Sequence, residues 1–263
     1  GLGNQFLGNV RDADALVHVV RCFDDPNVVH VRENPEPVAD IEIINVELAL
    51  ADLEQLERKI ERLHRQVKGD KNLRPTLETA QEMRDHLQTG APLSTFPQQV
   101  NHHYQALNKE MRFLTSKPVI YAANVNESDL AEDSAYVQAV RQIAQKEGAE
   151  VVKLCALLEQ EMIDMTTEDQ QEFLALAGAE ESGLNQVIQK SFETLNLISF
   201  FTFNEKESRA WNIPQGSTAP EAAGAIHTDF QRGFIRAEVV PFSTFADYGN
   251  WADVKAAGKM RLE

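Results

Sequence analysis

The sequence predicts an α/β protein with a mostly parallel sheet, a helical hairpin inserted into it and a small α+β module at its end. Three observations predict this. Short valine-rich apolar runs alternate with amphipathic helical stretches, as in a parallel sheet covered by helices. A heptad-spaced seam interrupts that alternation between residues 45 and 115. From residue 197 onward strands dominate, with one helical stretch among them.

The first run, ALVHVVRCF at Ala15 to Phe23, suits a strand buried on both faces. His18 inside it reads as a satisfied core histidine. Asp24 to Asp40 carries three prolines and reads as a long loop, a place where function concentrates. From Asn45 the period turns helical. Leu53, Leu56, Ile60, Leu63 and Val67 recur at spacings of 3, 4, 3 and 4, a coiled-coil seam. Lys68-Gly69-Asp70 breaks it. A second helix carries Leu73, Leu77, Ala80 and Leu87 and stops at Gly90, so the two form an antiparallel hairpin. A third helix is expected through Val100, Tyr104, Leu107, Met111 and Leu114. Its His102-His103 pair makes no metal site, because adjacent residues face different sides of a helix.

PVIYAA at Pro118 to Ala123 is a second buried-strand run, ending in Asn124-Val125-Asn126-Glu127. A helix through Tyr136, Val140 and Ile143 stops at Gly148, and a strand follows from Glu150 to Ala156. Thr167 with Gln170 resembles a capping box, and Ser182 is expected to cap a helix through Leu195. In the last segment strands are expected at Leu197–Phe203, Arg209–Ile213 and Phe234–Val240, with one helix between Ala219 and Phe230.

Composition narrows the function classes. With 43% hydrophobic and 25% charged residues, the chain has an ordinary globular balance and length for two or three compact domains. No apolar run approaches the roughly 20 residues a membrane helix needs. The chain shows no signal peptide and begins without Met at Gly1-Leu2-Gly3, so an internal start is expected. Its two cysteines, Cys22 and Cys155, lie in apolar stretches and suit a reducing cytoplasm. A net charge of −16 opposes general nucleic-acid affinity, and no sequence-specific DNA partner is expected. Residues 1–196 hold 18 basic and 33 acidic side chains against 7 and 8 in residues 197–263. Any RNA-facing surface therefore belongs to the C-terminal part.

No catalytic constellation is complete. GxxxxGK[ST], HExxH, GxSxG and a zinc-spaced Cys/His set are all missing from the sequence. Without the first, no loop here cradles a triphosphate, and residues 1–263 by themselves are expected to bind ATP very weakly. One feature stands out. Ligands of parallel α/β folds bind beyond the carboxyl ends of strands, and Asn124, Val125 and Glu127 fall at such an end. Cys155 and Ala156 fall at the end of the next strand, where backbone amides can meet the same ligand. Read locally, Asn124 and Glu127 also suit plain turn caps.

Four runs carry a resemblance that spans essentially the whole chain. GLGNQFLGNVRDADALVHVVRCF resembles the segment after the Mg-binding strand of the YchF/Obg-like ATPase family. DIEIINVELALADLEQLE resembles the start of that family's helical insertion, and YAANVNE its altered base-recognition motif. RAWNIPQGSTAPEAAGAIHTDFQRGFIRAEVV resembles its C-terminal TGS domain. The phosphate loop, switch I and Mg-binding Asp of the family have no counterpart here, and neither does the final TGS strand.

The resemblance implies a P-loop NTPase (Ras-like) domain over residues 1–44 and 116–196. It further implies an inserted coiled-coil hairpin over 45–115 and a β-grasp-like TGS domain over 197–263. It implies a cytoplasmic, Mg2+-dependent enzyme that prefers ATP to GTP, works as a switch on the ribosome or translation, and binds no membrane. Guanine-specific relatives use Asn-Lys-x-Asp, whose Asp pairs with guanine N1–H and the exocyclic amine. Here Val125 and Glu127 replace the Lys and Asp. A carboxylate built for guanine is left unpaired by adenine, at roughly 1–3 kcal/mol, and moving it removes that bias. The resemblance also assigns His30 the task of positioning the attacking water, in place of a catalytic Gln. A non-catalytic ribosome-binding or stress-regulatory adaptor is the alternative. A TGS-bearing fragment of a tRNA or alarmone enzyme is a third reading, disfavoured by the lack of any synthetase or hydrolase motif.

Overall fold

A computed structural model of the chain describes residues 2–29, 34–204 and 206–263, with the side chains of residues 2–5 left aside. The chain divides into two compact units, Gly1–Leu195 and Asn196–Glu263.

The first unit opens with helix α1 (Leu2–Asp12), which the sequence pattern did not announce, and runs into strand β1 (Leu16–Arg21). Helix α2 (Pro37–Gln66) then extends for 30 residues. It starts at Pro37 rather than at the expected Asn45. Proline is pre-set for the first helical turn, and the early start lets Ile41, fully buried, pack on the sheet. Helices α3 (Arg74–Gln88) and α4 (His102–Met111) complete the hairpin region. Strand β2 (Val119–Asn124), helix α5 (Ala135–Glu147) and strand β3 (Glu150–Leu154) follow, then helices α6 (Ala156–Glu161), α7 (Thr167–Leu176) and α8 (Gly183–Thr194).

The sheet is parallel, in the order β1-β2-β3. His18 pairs with Tyr121 and Val20 with Ala123, while Ala122 pairs with Val152. Side chains alternate between faces. Val20, Tyr121 and Ala123 share one face with Ile41 of α2 and with Val137, Val140 and Ala144 of α5. α8 packs on β3 and β2. The glycine at its start is required by closeness, since a Cβ on Gly183 would lie 2.2 Å from the Leu154 Cβ. The expectation that β1 is buried on both faces fails. Val17 is 44% exposed and Val19 61%, because β1 is the edge of the described sheet and its outer face is uncovered among the described residues.

The hairpin has a core of its own. Leu56, Ile60 and Leu63 of α2 meet Leu77, Ala80, Met83 and Leu87 of α3 and Tyr104, Leu107 and Met111 of α4. Each buried Leu, Ile or Met contributes roughly 1.5–3 kcal/mol, enough to hold the pairing without a partner. The third helix is shorter than its heptad pattern. Val100 is exposed, and Leu114 is fully buried beyond the helix end. Arg112 takes left-handed backbone at φ 51 and turns Phe113 and Leu114 inward. The His102 and His103 rings lie 3.8 Å apart at a tilt of 40°, and His103 Nδ1 lies 3.0 Å from the Thr76 hydroxyl.

The caps follow ordinary rules with one correction. Thr166, not Thr167, caps α7, accepting the Asp169 backbone N–H at 3.3 Å and donating to its carboxylate at 2.8 Å. Ser182 caps α8 as expected. At Gly148, φ is 67, and glycine ends α5 without the penalty a side chain would meet there.

The second unit is α+β. Strands β4 (Leu197–Phe203) and β5 (Ser208–Pro214) form an antiparallel pair. Helix α9 (Ala219–Ile226) carries a capping box between Thr218 and Glu221 and packs on β5. The expected single helix is split, because His227 is extended at φ −161 and starts a new helix, α10 (Thr228–Arg232). The expected strand Phe234–Val240 shrinks to β6 (Glu238–Val239). Helices α11 (Phe242–Tyr248) and α12 (Trp251–Ala256) lead to β7 (Arg261–Leu262), which pairs with β6. Phe201 contacts Phe242, and Phe203 contacts Phe245 and Trp251.

Candidate functional site

The carboxyl ends of β1, β2 and β3 lie side by side, with Arg21 opposite Asn124 and Asn124 opposite Leu154. The ladder runs one step past the strands. Cys22 N–H donates to the Asn124 carbonyl at 2.8 Å, and Val125 N–H donates to the Leu154 carbonyl at 2.8 Å. These two bonds tie the ends of β1 and β3 to the end of β2.

Asn124 is half-buried, and its Oδ1 accepts the Ala156 backbone N–H at 2.9 Å. One side chain thus joins the end of β2 to the first residue of α6. Its Nδ2 keeps two donors for something else. Val125 turns inward: it is 2% exposed and packs with Val20, Cys22 and Tyr121. Its N–H is already engaged, which leaves the carbonyl as its free polar group. Glu127 is exposed at the start of a short 3₁₀ turn, Glu127–Asp129, and its carboxylate has no partner among the described residues. Cys155 is 5% exposed, its thiol among Leu158, Met162 and Leu174. Ala156 is exposed. The structure therefore gathers Asn124, Val125, Glu127, Cys155 and Ala156 on one crest. Asn124, Glu127 and the Ala156 backbone are its solvent-facing part. His30 lies outside the described residues.

The Cys22 thiol is quiet. Burial pushes the Cys22 thiol up to about 12, so it stays protonated and packs as a small apolar group. Among the described residues no group of three His, Cys, Asp or Glu side chains is arranged to hold a metal ion. No Mg2+ ligand is assigned to them. A cavity of about 430 Å³ lies at the opposite end of the sheet, lined by Leu16, Asn45, Lys117, Val119 and Glu147. It includes none of the crest residues. Among the described residues no helix is long and apolar enough to cross a membrane.

Sequence reasoning missed Arg21. Its guanidinium donates to three carbonyls of the segment that leaves β1. The available signal was an arginine closing an otherwise apolar strand just before a long loop.

Fold and crest together define a parallel α/β domain that carries polar groups beyond its strand ends, interrupted by a helical hairpin and followed by an α+β unit. Known proteins share this plan. The chain is 46% identical over 264 residues to the ribosome-binding ATPase YchF of Escherichia coli O157:H7, covering all of this chain and 72% of that protein. It is 42% identical over 266 residues to the ribosome-binding ATPase YchF of Bacillus subtilis (strain 168), again over 72% of the relative. The structure of the Schizosaccharomyces pombe YchF GTPase superimposes with a TM-score of 0.84 at 32% identity, over all of this chain and 71% of that one. The family model YchF-GTPase_C, described as "Protein of unknown function (DUF933)", matches residues 197–263. The chain belongs to the YchF family. Two of these relatives are called ATPases and the third a GTPase.

Proposed function

We propose that the full-length protein is a cytoplasmic, Mg2+-dependent P-loop ATPase that prefers ATP to GTP and uses the nucleotide cycle to switch its association with the ribosome. In this reading residues 1–44 and 116–196 are part of the Ras-like nucleotide domain. Residues 45–115 form the inserted helical arm, and residues 197–263 a TGS domain of β-grasp type.

The observation that carries the reading is the exposed, unpartnered Glu127 two residues beyond a buried Val125. A guanine site needs a carboxylate held at a fixed place to accept N1–H and the amine. A glutamate on the turn after Asn126 carries one more methylene, and nothing described fixes it. Such a site gives guanine no reward. Adenine then binds through what remains, the Asn124 side-chain amide and the backbone around Val125, Cys155 and Ala156. Hydrolysis needs a positioned water, and we assign that task to His30, whose imidazole orients or accepts a proton near neutral pH.

The test is turnover of the full-length protein with and without ribosomes, beside the His30→Ala variant. Ribosome-dependent ATP turnover that falls in the variant at nearly unchanged ATP affinity fits the reading, because a water-positioning group acts mainly in the transition state. Ribosome binding without turnover contradicts it and leaves the adaptor.

A further inference from the structure

The α6 side of the crest is held from behind. Ala156 N–H donates to Asn124 Oδ1 at 2.9 Å. That donor fixes which way the Asn124 amide faces, because the oxygen has to meet it and Nδ2 is left as the free end. The amide therefore depends on where α6 starts. α6 has only six residues, too few to hold its place by helix formation alone. Two anchors hold it. Leu158 is buried with Cys155, Met162 and Leu174. Glu159, half-buried, makes the other. Its backbone N–H donates to the Cys155 carbonyl at 3.0 Å and closes the first turn on the crest. Its Oε1 accepts the Gly183 N–H at 2.6 Å.

Gly183 is the first residue of α8, after its cap Ser182. The N–H groups of a first helical turn have no partner within the helix, and a carboxylate there also meets the positive end of the helix dipole. α8 packs on β3 and β2. Gly183 lies so close to Leu154 that a Cβ would come within 2.2 Å of the Leu154 Cβ. The start of α8 is thus set against the end of β3, and Glu159 ties α6 to it.

We infer that Glu159 is a positioning residue for the base: by clamping α6 to the start of α8, it holds the Ala156 N–H where that donor orients the Asn124 amide. The inference rests on the reading of the crest as the base site given above. Without the clamp α6 is free to draw back from β2. Asn124 Oδ1 then loses its donor, and the amide turns without preference. The bond to Gly183 asks only for an acceptor at the end of a side chain of this length. Glutamine supplies one. Aspartate, one methylene shorter, falls short of it. A glutamate that only braced two helices would affect stability and leave the nucleotide alone. The phosphate chain is no part of the crest, so loss of the clamp weakens the grip on the base and spares the grip on the phosphates.

The test uses full-length protein and compares Glu159→Ala, Glu159→Gln, Asn124→Ala and the double variant Glu159→Ala/Asn124→Ala. Two ligands are titrated: ATP, and tripolyphosphate, which carries the phosphate chain without a base. The expected result for Glu159→Ala is an ATP affinity about tenfold weaker, the scale of one hydrogen bond to the base, at parental tripolyphosphate affinity. KM should rise with it while kcat at saturating ATP stays near the parental value. Glu159→Gln should recover most of the affinity. The double variant should bind ATP no more weakly than Asn124→Ala, since the glutamate acts through the asparagine. If Glu159→Ala does not stay folded, Glu159→Asp decides on the same readings. Parental ATP affinity in the folded variant beside a weak Asn124→Ala overturns this inference alone. So does an equal loss for both ligands, a Glu159→Gln as weak as Glu159→Ala, or an additive double variant. Parental ATP affinity in Asn124→Ala overturns the reading of the crest instead, whatever Glu159 does.

Discussion

Asp52 of α2 is fully buried, and its Oδ1 accepts the Arg11 Nη1 of α1 at 2.9 Å. The same carboxylate accepts the backbone N–H of Leu114 at 3.0 Å, that of Thr115 at 2.8 Å and the Thr115 hydroxyl at 2.9 Å. Four donors on one carboxylate join α1, the start of the helical arm and the segment that returns from α4 to β2. Every lone pair is used, which is what makes a buried charge tolerable. Asp52→Ala leaves the Arg11 guanidinium and three more donors without their acceptor. We expect a loss of roughly 3–5 kcal/mol, read by urea unfolding of this chain. A loss below about 1 kcal/mol would show that the hub is replaceable by water.

Gly183 and Leu154 set a second expectation. A Cβ at Gly183 would meet the Leu154 Cβ at 2.2 Å and its Cα at 3.0 Å, so Gly183→Ala has to push α8 off the end of β3. Overpacking of this kind costs typically 1–3 kcal/mol. Gly8 is the control, because it lies within α1 and a Cβ there meets nothing within 4 Å. Gly8→Ala should be neutral or slightly stabilising. Thermal unfolding of both variants checks the contrast, and equal melting temperatures would contradict it.

His18 lies in β1 with its ring 5.6 Å from that of Tyr121. Burial lowers its pKa below the ordinary 6.5, and the nearby Asp40 carboxylate partly opposes this. The unfolded chain therefore takes up a proton here before the folded chain does. Stability from this site is complete above the ordinary value and falls as pH drops through 6.5 toward the lower folded pKa. His18→Gln should flatten that part of the profile. Denaturant unfolding at neutral pH and at about pH 5 measures it. A variant with the parental acid sensitivity would mean that another group is responsible.

In the proposed reading Glu127 bears on nucleotide choice. Glu127→Asp shortens an exposed carboxylate that nothing described holds, so it is free to approach a guanine edge. The ratio of ATP to GTP affinity in full-length protein should fall by about tenfold. Val125 cannot follow as a simple partner, because it belongs to the core that the sheet forms with α2 and α5. Val125→Lys would bury an ammonium there at a cost of several kcal/mol. The double change should therefore add instability and little further selectivity. Competitive binding with a melting curve separates the two effects. A parental ratio in a folded Glu127→Asp variant falsifies the role given to Glu127.

Much of this architecture was readable from spacing. The seam Leu56, Ile60 and Leu63 is the core of the hairpin because 3-4 spacing leaves one face for burial. PVIYAA gave β2, since a strand covered on both faces has little use for polar side chains. The same logic misjudged β1, whose Val17 and Val19 are apolar but uncovered. Composition cannot say which strand stands at an edge. Helix ends were less legible. Pro37 starts α2 early, and His227 splits a helix that its apolar spacing favours, both through local backbone chemistry. At the crest, Asn124 was visible as a polar residue ending a strand. Its bond to Ala156 and the threefold grip of Arg21 were not, because each depends on which strands become neighbours.

The central claim is that the crest formed by the ends of β2 and β3 receives the base. Photolabelling of the full-length protein with 8-azido-ATP, followed by peptide mapping, tests it most directly. The account predicts label on the peptides that contain Asn124 to Glu127 and Leu154 to Leu157, with protection by excess ATP. Protectable label confined to the cavity near Lys117 and Glu147, or to residues 197–263, would contradict it.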